Sequence, residues 1–289
     1  MGRTRTWGVI TALFTLAACG GQGTESGAPP AGVSVSLNQW RSDETAHELE
    51  VSVRNDAGTQ VRFLDVQLVT GSFATLPPTR MDTALGRTPR TDLRIPYGEA
   101  RCDPATIPPV KPATVVAHIQ VGDGTPRKVV FPVHHPDPTL DGLVKAECGA
   151  YILRRSVDVT FGDTWTRVGR TLQGNLVVTR KGGAEPITID DLGATTHYTM
   201  LPRSRHPRGG ERGLVAVLAA DATRLEIPVE VTPMRCDWHA FAEAKKAYLF
   251  PIYGTVGGGE KRYLIATPPA PVQQAFLSYA QDVCGVGGS

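Results

Sequence analysis

The feature that most restricts this chain is that its second half repeats its first. Val33-Ser34-Val35-Ser36-Leu37 followed by Trp40 corresponds to Val157-Asp158-Val159-Thr160-Phe161 followed by Trp165. Val51 and Val53 align with Leu176 and Val178, and Phe63-Leu64-Asp65-Val66 aligns with Ile189-Asp190-Asp191-Leu192. Phe73 with Leu76-Pro77 matches Tyr198 with Leu201-Pro202, and Leu93-Arg94-Ile95-Pro96 matches Leu225-Glu226-Ile227-Pro228. The series reaches Arg101-Cys102-Asp103 and Arg235-Cys236-Asp237, and Arg127-Lys128 lies as far beyond Cys102 as Lys261-Arg262 lies beyond Cys236. Each match alone is weak. Their common order with small gaps makes a tandem duplication the best reading.

Within each copy the apolar residues mostly alternate, as in Val33/Val35/Leu37, Leu49/Val51/Val53 and Val61/Phe63, which is the pattern of half-buried strands. Turn clusters such as Asn55-Asp56-Ala57-Gly58, Gly122-Asp123-Gly124, Lys181-Gly182-Gly183 and Gly257-Gly258-Gly259 separate them, and 31 Gly and 23 Pro leave little room for long helices. About seven strands in roughly a hundred residues fits an immunoglobulin-like β-sandwich. Helical spacing takes over near each copy's end. Leu140, Leu143 and Val144 follow Pro138, and Val272, Ala275, Phe276, Tyr279, Ala280 and Val283 follow Pro271. Each copy is therefore expected to close with an amphipathic helix whose last turn carries Cys148 or Cys284. The fold expected is mainly β, two tandem immunoglobulin-like domains over residues 33–150 and 151–289, each with one disulfide. Trp40 and Trp165 are expected in the two cores.

The N-terminus carries an address. Arg3 and Arg5 form a basic n-region, and Trp7 to Ala18 form an apolar stretch too short to cross a bilayer. It ends in Leu16-Ala17-Ala18-Cys19, which resembles the lipobox of bacterial lipoproteins. That resemblance implies a signal peptide over residues 1–18 and lipid attachment at Cys19. The Gly/Ser/Pro-rich run that follows is expected to be a flexible tether over 19–32. Removing residues 1–18 takes away two arginines and no acid, so a formal charge of +2 becomes zero. A neutral chain has no bulk attraction to nucleic acid. Lipid would do the anchoring, at about 0.8 kcal/mol per buried methylene.

With Cys19 given to lipid, Cys102, Cys148, Cys236 and Cys284 remain, an even number in an exported chain. Counting alone leaves three pairings. The repeat selects Cys102 with Cys148 and Cys236 with Cys284, because each copy then owns its bridge.

Chemistry is harder to find. The chain holds no G-x-S-x-G elbow, H-E-x-x-H, phosphate-binding loop, dinucleotide-binding loop or C-x-x-C zinc pattern. The paired cysteines leave no thiol nucleophile. No catalytic residue, enzyme activity or cofactor is therefore expected. Arg235-Cys236-Asp237-Trp238-His239-Ala240-Phe241-Ala242-Glu243-Ala244-Lys245 resembles an R-C-D-x-H-A-x-A-E-x-K string of uncharacterised secreted proteins and lipoproteins of actinobacteria. If helical, it places His239 and Glu243 one turn apart, with Asp237 nearby, as half a metal site. The plainer reading has Asp237 capping a short helix and the other two pairing on its surface. His134 and His135 are adjacent, so on a strand they point to opposite faces and do not chelate together.

Between Leu201-Pro202 and Leu225-Glu226-Ile227-Pro228 the second copy is seven residues longer than the first. The excess falls in a stretch where Arg203, Arg205, Arg208 and Arg212 face one acid, Glu211, making it a candidate anion-binding loop. The expected function is a binding module on the outer face of the cytoplasmic membrane. Its partner would be an envelope protein or anionic polymer. The alternatives are a solute-binding lipoprotein of a transporter and a metal-handling or catalytic site at Asp237, His239 and Glu243.

Overall fold

The computed structural model describes residues 27–203, 214–237 and 246–285. The first half runs β1 (Val33–Asn38), β2 (Glu48–Asn55), β3 (Val61–Thr70), β4 (Thr79–Leu85), β5 (Thr88–Pro96), β6 (Ala113–Val121), β7 (Arg127–Pro132) and helix α1 (Pro138–Ser156). The second runs β8 (Val157–Phe161), β9 (Thr166–Val168), β10 (Thr171–Arg180), β11 (Ile187–Leu192), β12 (Tyr198–Pro202), β13 (Ala216–Leu218), β14 (Arg224–Pro233), β15 (Phe250–Val256), β16 (Arg262–Ala266) and helix α2 (Ala270–Cys284). The protein is mainly β, built from antiparallel sheets consistent with β-sandwiches.

In the first half the sheets are β1-β2-β5 and β4-β3-β6-β7. In the second they are β12-β14-β10-β8, with β9 beside β10, and β13-β11-β15-β16. The repeat is visible in the backbone. β3 bulges between Phe63 and Asp65 where it pairs with β6, and β11 bulges between Ile189 and Asp191 where it pairs with β15. These are the residues that align in sequence, so both copies insert their extra residue at the same place.

The halves differ in their fourth strand. β12 forms a five-residue ladder with β14, whereas β4 pairs with β3, and only an isolated Phe73 to Ala100 bridge remains where that ladder would be. In the second half β13 takes the place beside β11. The stretch between β12 and β13 in which the excess falls, residues 204–213, lies outside the described residues.

Alternation produces two apolar clusters. Leu49, Val51, Phe63, Ile119 and Phe131 are fully buried in one, and Leu176, Tyr198, Phe250 and Phe276 in the other. Burying each phenylalanine contributes about 2 to 3 kcal/mol. Helix α1 serves both. Leu140, Val144 and Cys148 belong to the first cluster, while Ala150 and Leu153 belong to the second. The boundary expected after residue 150 therefore falls inside α1. Cys148 is not in its last turn, because Ala150, Ile152 and Leu153 continue the buried face and the helix passes directly into β8.

Cys102 is bonded to Cys148 and Cys236 to Cys284. Sequence separations of 46 and 48 residues correspond to about 4 kcal/mol each by the chain-entropy relation.

The expectations for Trp40 and for the tether need correction. Trp40 is 50% exposed, with its indole Nε1 donating to Asp92 and the Arg90 guanidinium over its ring, whereas Trp165 packs on the second core. His134 and His135 lie beyond the end of β7, both exposed. Residues 27–32 are not tether. Gly27 N donates to the Lys128 carbonyl and Val130 N donates to Gly27, which lays the chain parallel to β7.

Candidate binding cleft along the first helix

One face of α1 packs on β16 and another forms the floor of an open cleft of about 980 Å³. Leu143, Ala146, Glu147, Ala150, Tyr151, Arg154 and Arg155 recur at three- and four-residue spacing, so they share one helix face. Asp137 starts the helix. Its carboxylate accepts from Leu140 N at 2.9 Å, Pro138 occupies the first turn, and Arg154 and Arg155 sit where the helix dipole favours cations.

The first half supplies one wall through the turn leading into β2 and the segment after β5. Asp43, fully buried, ties that turn by accepting from Trp40 N at 2.8 Å and from the Ser42 hydroxyl at 2.9 Å. The turn ends at His47, whose φ of 57° is uncommon for a residue with a side chain. The ring compensates with contacts. It stacks on Tyr97 at 3.9 Å, its Nδ1 lies 2.9 Å from the Tyr97 carbonyl, and its Nε2 lies 3.1 Å from Glu147 Oε1. Glu147 Oε2 accepts from Ala100 N at 3.2 Å. Burial, with the Glu147 charge adding to it, pushes the Tyr97 hydroxyl well above the usual phenol range, so it stays neutral.

The second half supplies the other wall. Lys181 N donates to the Ser156 carbonyl at 2.9 Å, which fixes the Lys181-Gly182 turn at the C-terminal end of α1. Tyr263 and Ile265 of β16 line the side. Arg154 reaches the Ile265 carbonyl, and Arg155 lies over the Tyr151 ring at 5.7 Å. The Lys246 ammonium pairs with Glu44, joining the two walls.

The arrangement combines a pinned imidazole with a group of cations. Both His47 nitrogens face oxygens, the Tyr97 carbonyl and the Glu147 carboxylate, that pin the ring. Three cations, Arg154, Arg155 and Lys181, have no carboxylate partner among the described residues, and an exposed tyrosine lies beside them. Such a surface suits an anionic group attached to something that stacks.

Of the described positions singled out in the sequence, Cys102 lines the cleft, whereas Arg203 and Asp237 do not. Arg203 is exposed at the end of β12, its N–H donating to the Pro228 carbonyl, while Arg205, Arg208 and Arg212 lie outside the described residues. Asp237 accepts from Arg235 Nε at 3.1 Å, and His239 and Glu243 lie outside the described residues, as does Cys19. Among the described residues no group of three or more His, Cys, Asp or Glu could hold a metal ion. His47, Tyr97, Glu147 and Lys181 were not legible as a set, being spread over well over a hundred residues with no motif spacing. The one available signal was the helical period after Pro138, continued past Cys148.

No family model matches the chain, and no curated protein matches it. Among solved structures it is similar to a red sea bream transglutaminase at 9% identity, with a TM-score of 0.24, over 83% of this chain and 32% of that one. A Porphyromonas gingivalis W83 protein of unknown function matches at 13% identity and a TM-score of 0.20, over 82% of this chain and 97% of that one. An Amycolatopsis orientalis exo-chitosanase matches at 8% identity and a TM-score of 0.20, over 80% of this chain and 26% of that one. The chain spans about a third of the transglutaminase. At these scores neither a family nor an activity transfers.

Proposed function

We propose that the chain is a lipoprotein held at the outer face of the cytoplasmic membrane through Cys19, and that its folded part is a non-enzymatic binding module using the cleft along α1. The observation that carries this reading is the run from Arg3 through the apolar stretch to Leu16-Ala17-Ala18-Cys19, followed by a polar, glycine-rich segment. The two disulfides agree with an oxidising compartment. The sandwiches are read as immunoglobulin-like because β12-β14-β10-β8 opposite β11-β15-β16 follows the constant-type division of strands. The partner is an envelope component, either a protein or an anionic polymer, and the arginines from Arg203 to Arg212 offer a second contact to such a polymer.

A solute-binding role gains support from one feature, the size of the cleft, which is ample for a small organic ligand. Anchoring is tested by fractionating cells that express Cys19→Ala. The variant is expected in the soluble fraction or medium with the parent in the membrane pellet, and equal partitioning of both into the pellet overturns the lipoprotein reading.

A further inference from the structure

We infer that the cleft along α1 binds a short peptide with free ends, its carboxylate toward Arg154, Arg155 and Lys181 and its ammonium toward Glu99. This rests on the reading of the folded part as a binding module, and it names the ligand class of that site.

The charges in the cleft are sorted by position. Glu99 is exposed, has no basic partner among the described residues, and precedes Ala100, whose N–H is held by Glu147. Glu44 is already paired with Lys246 and Glu147 with His47, so Glu99 is the acid left for a ligand. At the other end Lys181 is joined to the last residue of α1, one position beyond Arg155. Glu147 and Arg155 are eight residues apart on α1, a rise of about 12 Å. An extended peptide advances about 3.3 Å per residue, so three to five residues span the distance between its charged ends.

Ala146 and Ala150 keep the floor between the two ends low, and the exposed Tyr151 ring gives side chains a face to stack on. The cation–π contact with Tyr151 holds the Arg155 guanidinium near the place a carboxylate would occupy, and a planar fork matches that group in two parallel hydrogen bonds. A simple anion would use only one end of the cleft and be repelled by the other. An acyl chain would lay hydrocarbon against Glu99 and Glu147. A molecule with opposite charges at its two ends satisfies both.

The test uses the full-length mature lipoprotein in detergent, immobilised and exposed to a randomised tetrapeptide pool in four forms: free ends, N-acetylated, C-amidated and doubly capped. Retained peptide is measured by mass spectrometry. The free-ended pool is expected to be retained at least tenfold more than the doubly capped pool, with the singly capped pools between. Arg155→Gln with Lys181→Gln should lower retention of the free-ended pool to that of the C-amidated one. Both side chains are exposed, so circular dichroism should be unchanged. Equal retention of free-ended and doubly capped pools, including both at background, overturns the peptide assignment. A photo-crosslinker in place of Tyr151, used in intact cells, separates the two readings. Crosslinks to an envelope component without peptide retention overturn the ligand class and leave the binding module standing. The absence of both overturns both.

Discussion

Trp40 and Trp165 hold equivalent places after the first strand of each repeat, yet one lies in solvent and the other on a core. The difference traces to one position in the neighbouring strand. Val51 aligns with Leu176, so Leu49 aligns with Gly174. Leu49 is fully buried and fills the first core at that level. At Gly174 the space is empty of side chain, and the Trp165 ring lies over it so closely that an added Cβ would come within 2.5 Å of the indole. Trp165 then donates its N–H to the Gly162 carbonyl and meets Phe276 edge-on at 4.7 Å. Gly174→Leu should evict the indole, destabilising the protein by about 1 to 3 kcal/mol through overpacking. The check is urea unfolding together with a red shift of tryptophan emission, and an unshifted spectrum at unchanged stability would refute the account.

Glu50 ties stability to pH through its buried setting. It points to the outer side of β2 with its side chain 5% exposed, Oε1 accepts from Arg94 Nε at 3.0 Å, and Oε2 has no partner. Burial raises its pKa, Arg94 opposes that rise by hydrogen bond and charge, and the charges of Asp43 and Asp92 add to it. A carboxyl whose folded value lies above its unfolded value holds its proton more tightly in the fold. Its contribution is therefore most favourable below the ordinary carboxylate range and is lost as pH rises through the raised folded value. Glu50→Gln keeps the acceptor for Arg94 and removes the charge. The variant should melt higher than the parent at neutral pH, with the gap closing as pH falls through that window. A gap that widens toward acid would mean that the fold lowers the Glu50 pKa instead.

At the scale of elements α1 is the decisive piece, since its N-terminal half completes one core and its C-terminal half begins the other. Its start is local chemistry: Pro138 in the first turn was legible in the sequence, and the structure adds the Asp137 cap. Its end was not. Cys148-Gly149 resembles a helix terminus, but Leu153 finds a buried seat in the second cluster, and tertiary burial outweighs the small cost of a helical glycine. Asp137→Ala should cost about 1 kcal/mol, with Asp137→Asn restoring most of it, read by thermal unfolding. No change in either variant would mean that packing alone holds this end. Strands behave similarly. Which neighbour β4 and β12 pair with depends on the segments around them, so sheet order stayed hidden.

At the scale of the molecule the docking of Gly27 on β7 shortens the link to Cys19 to eight residue steps, a reach of at most about 29 Å. If Cys19 carries lipid, the β7 edge of the first half stays close to the bilayer. A bulk charge of only +2 hides a cleft whose ends carry opposite signs, because composition sums what the fold keeps apart. The sequence by itself determined the strand content, the duplication and the cysteine pairing, since alternation and repeat order are local or register-preserving signals. Only the tertiary structure decided which tryptophan is buried, where α1 ends, and that His47, Tyr97, Glu147 and Lys181 surround one cleft. Those outcomes depend on which side chains compete for the same space, and residues 50 and 100 positions apart carry no spacing from which that competition can be read.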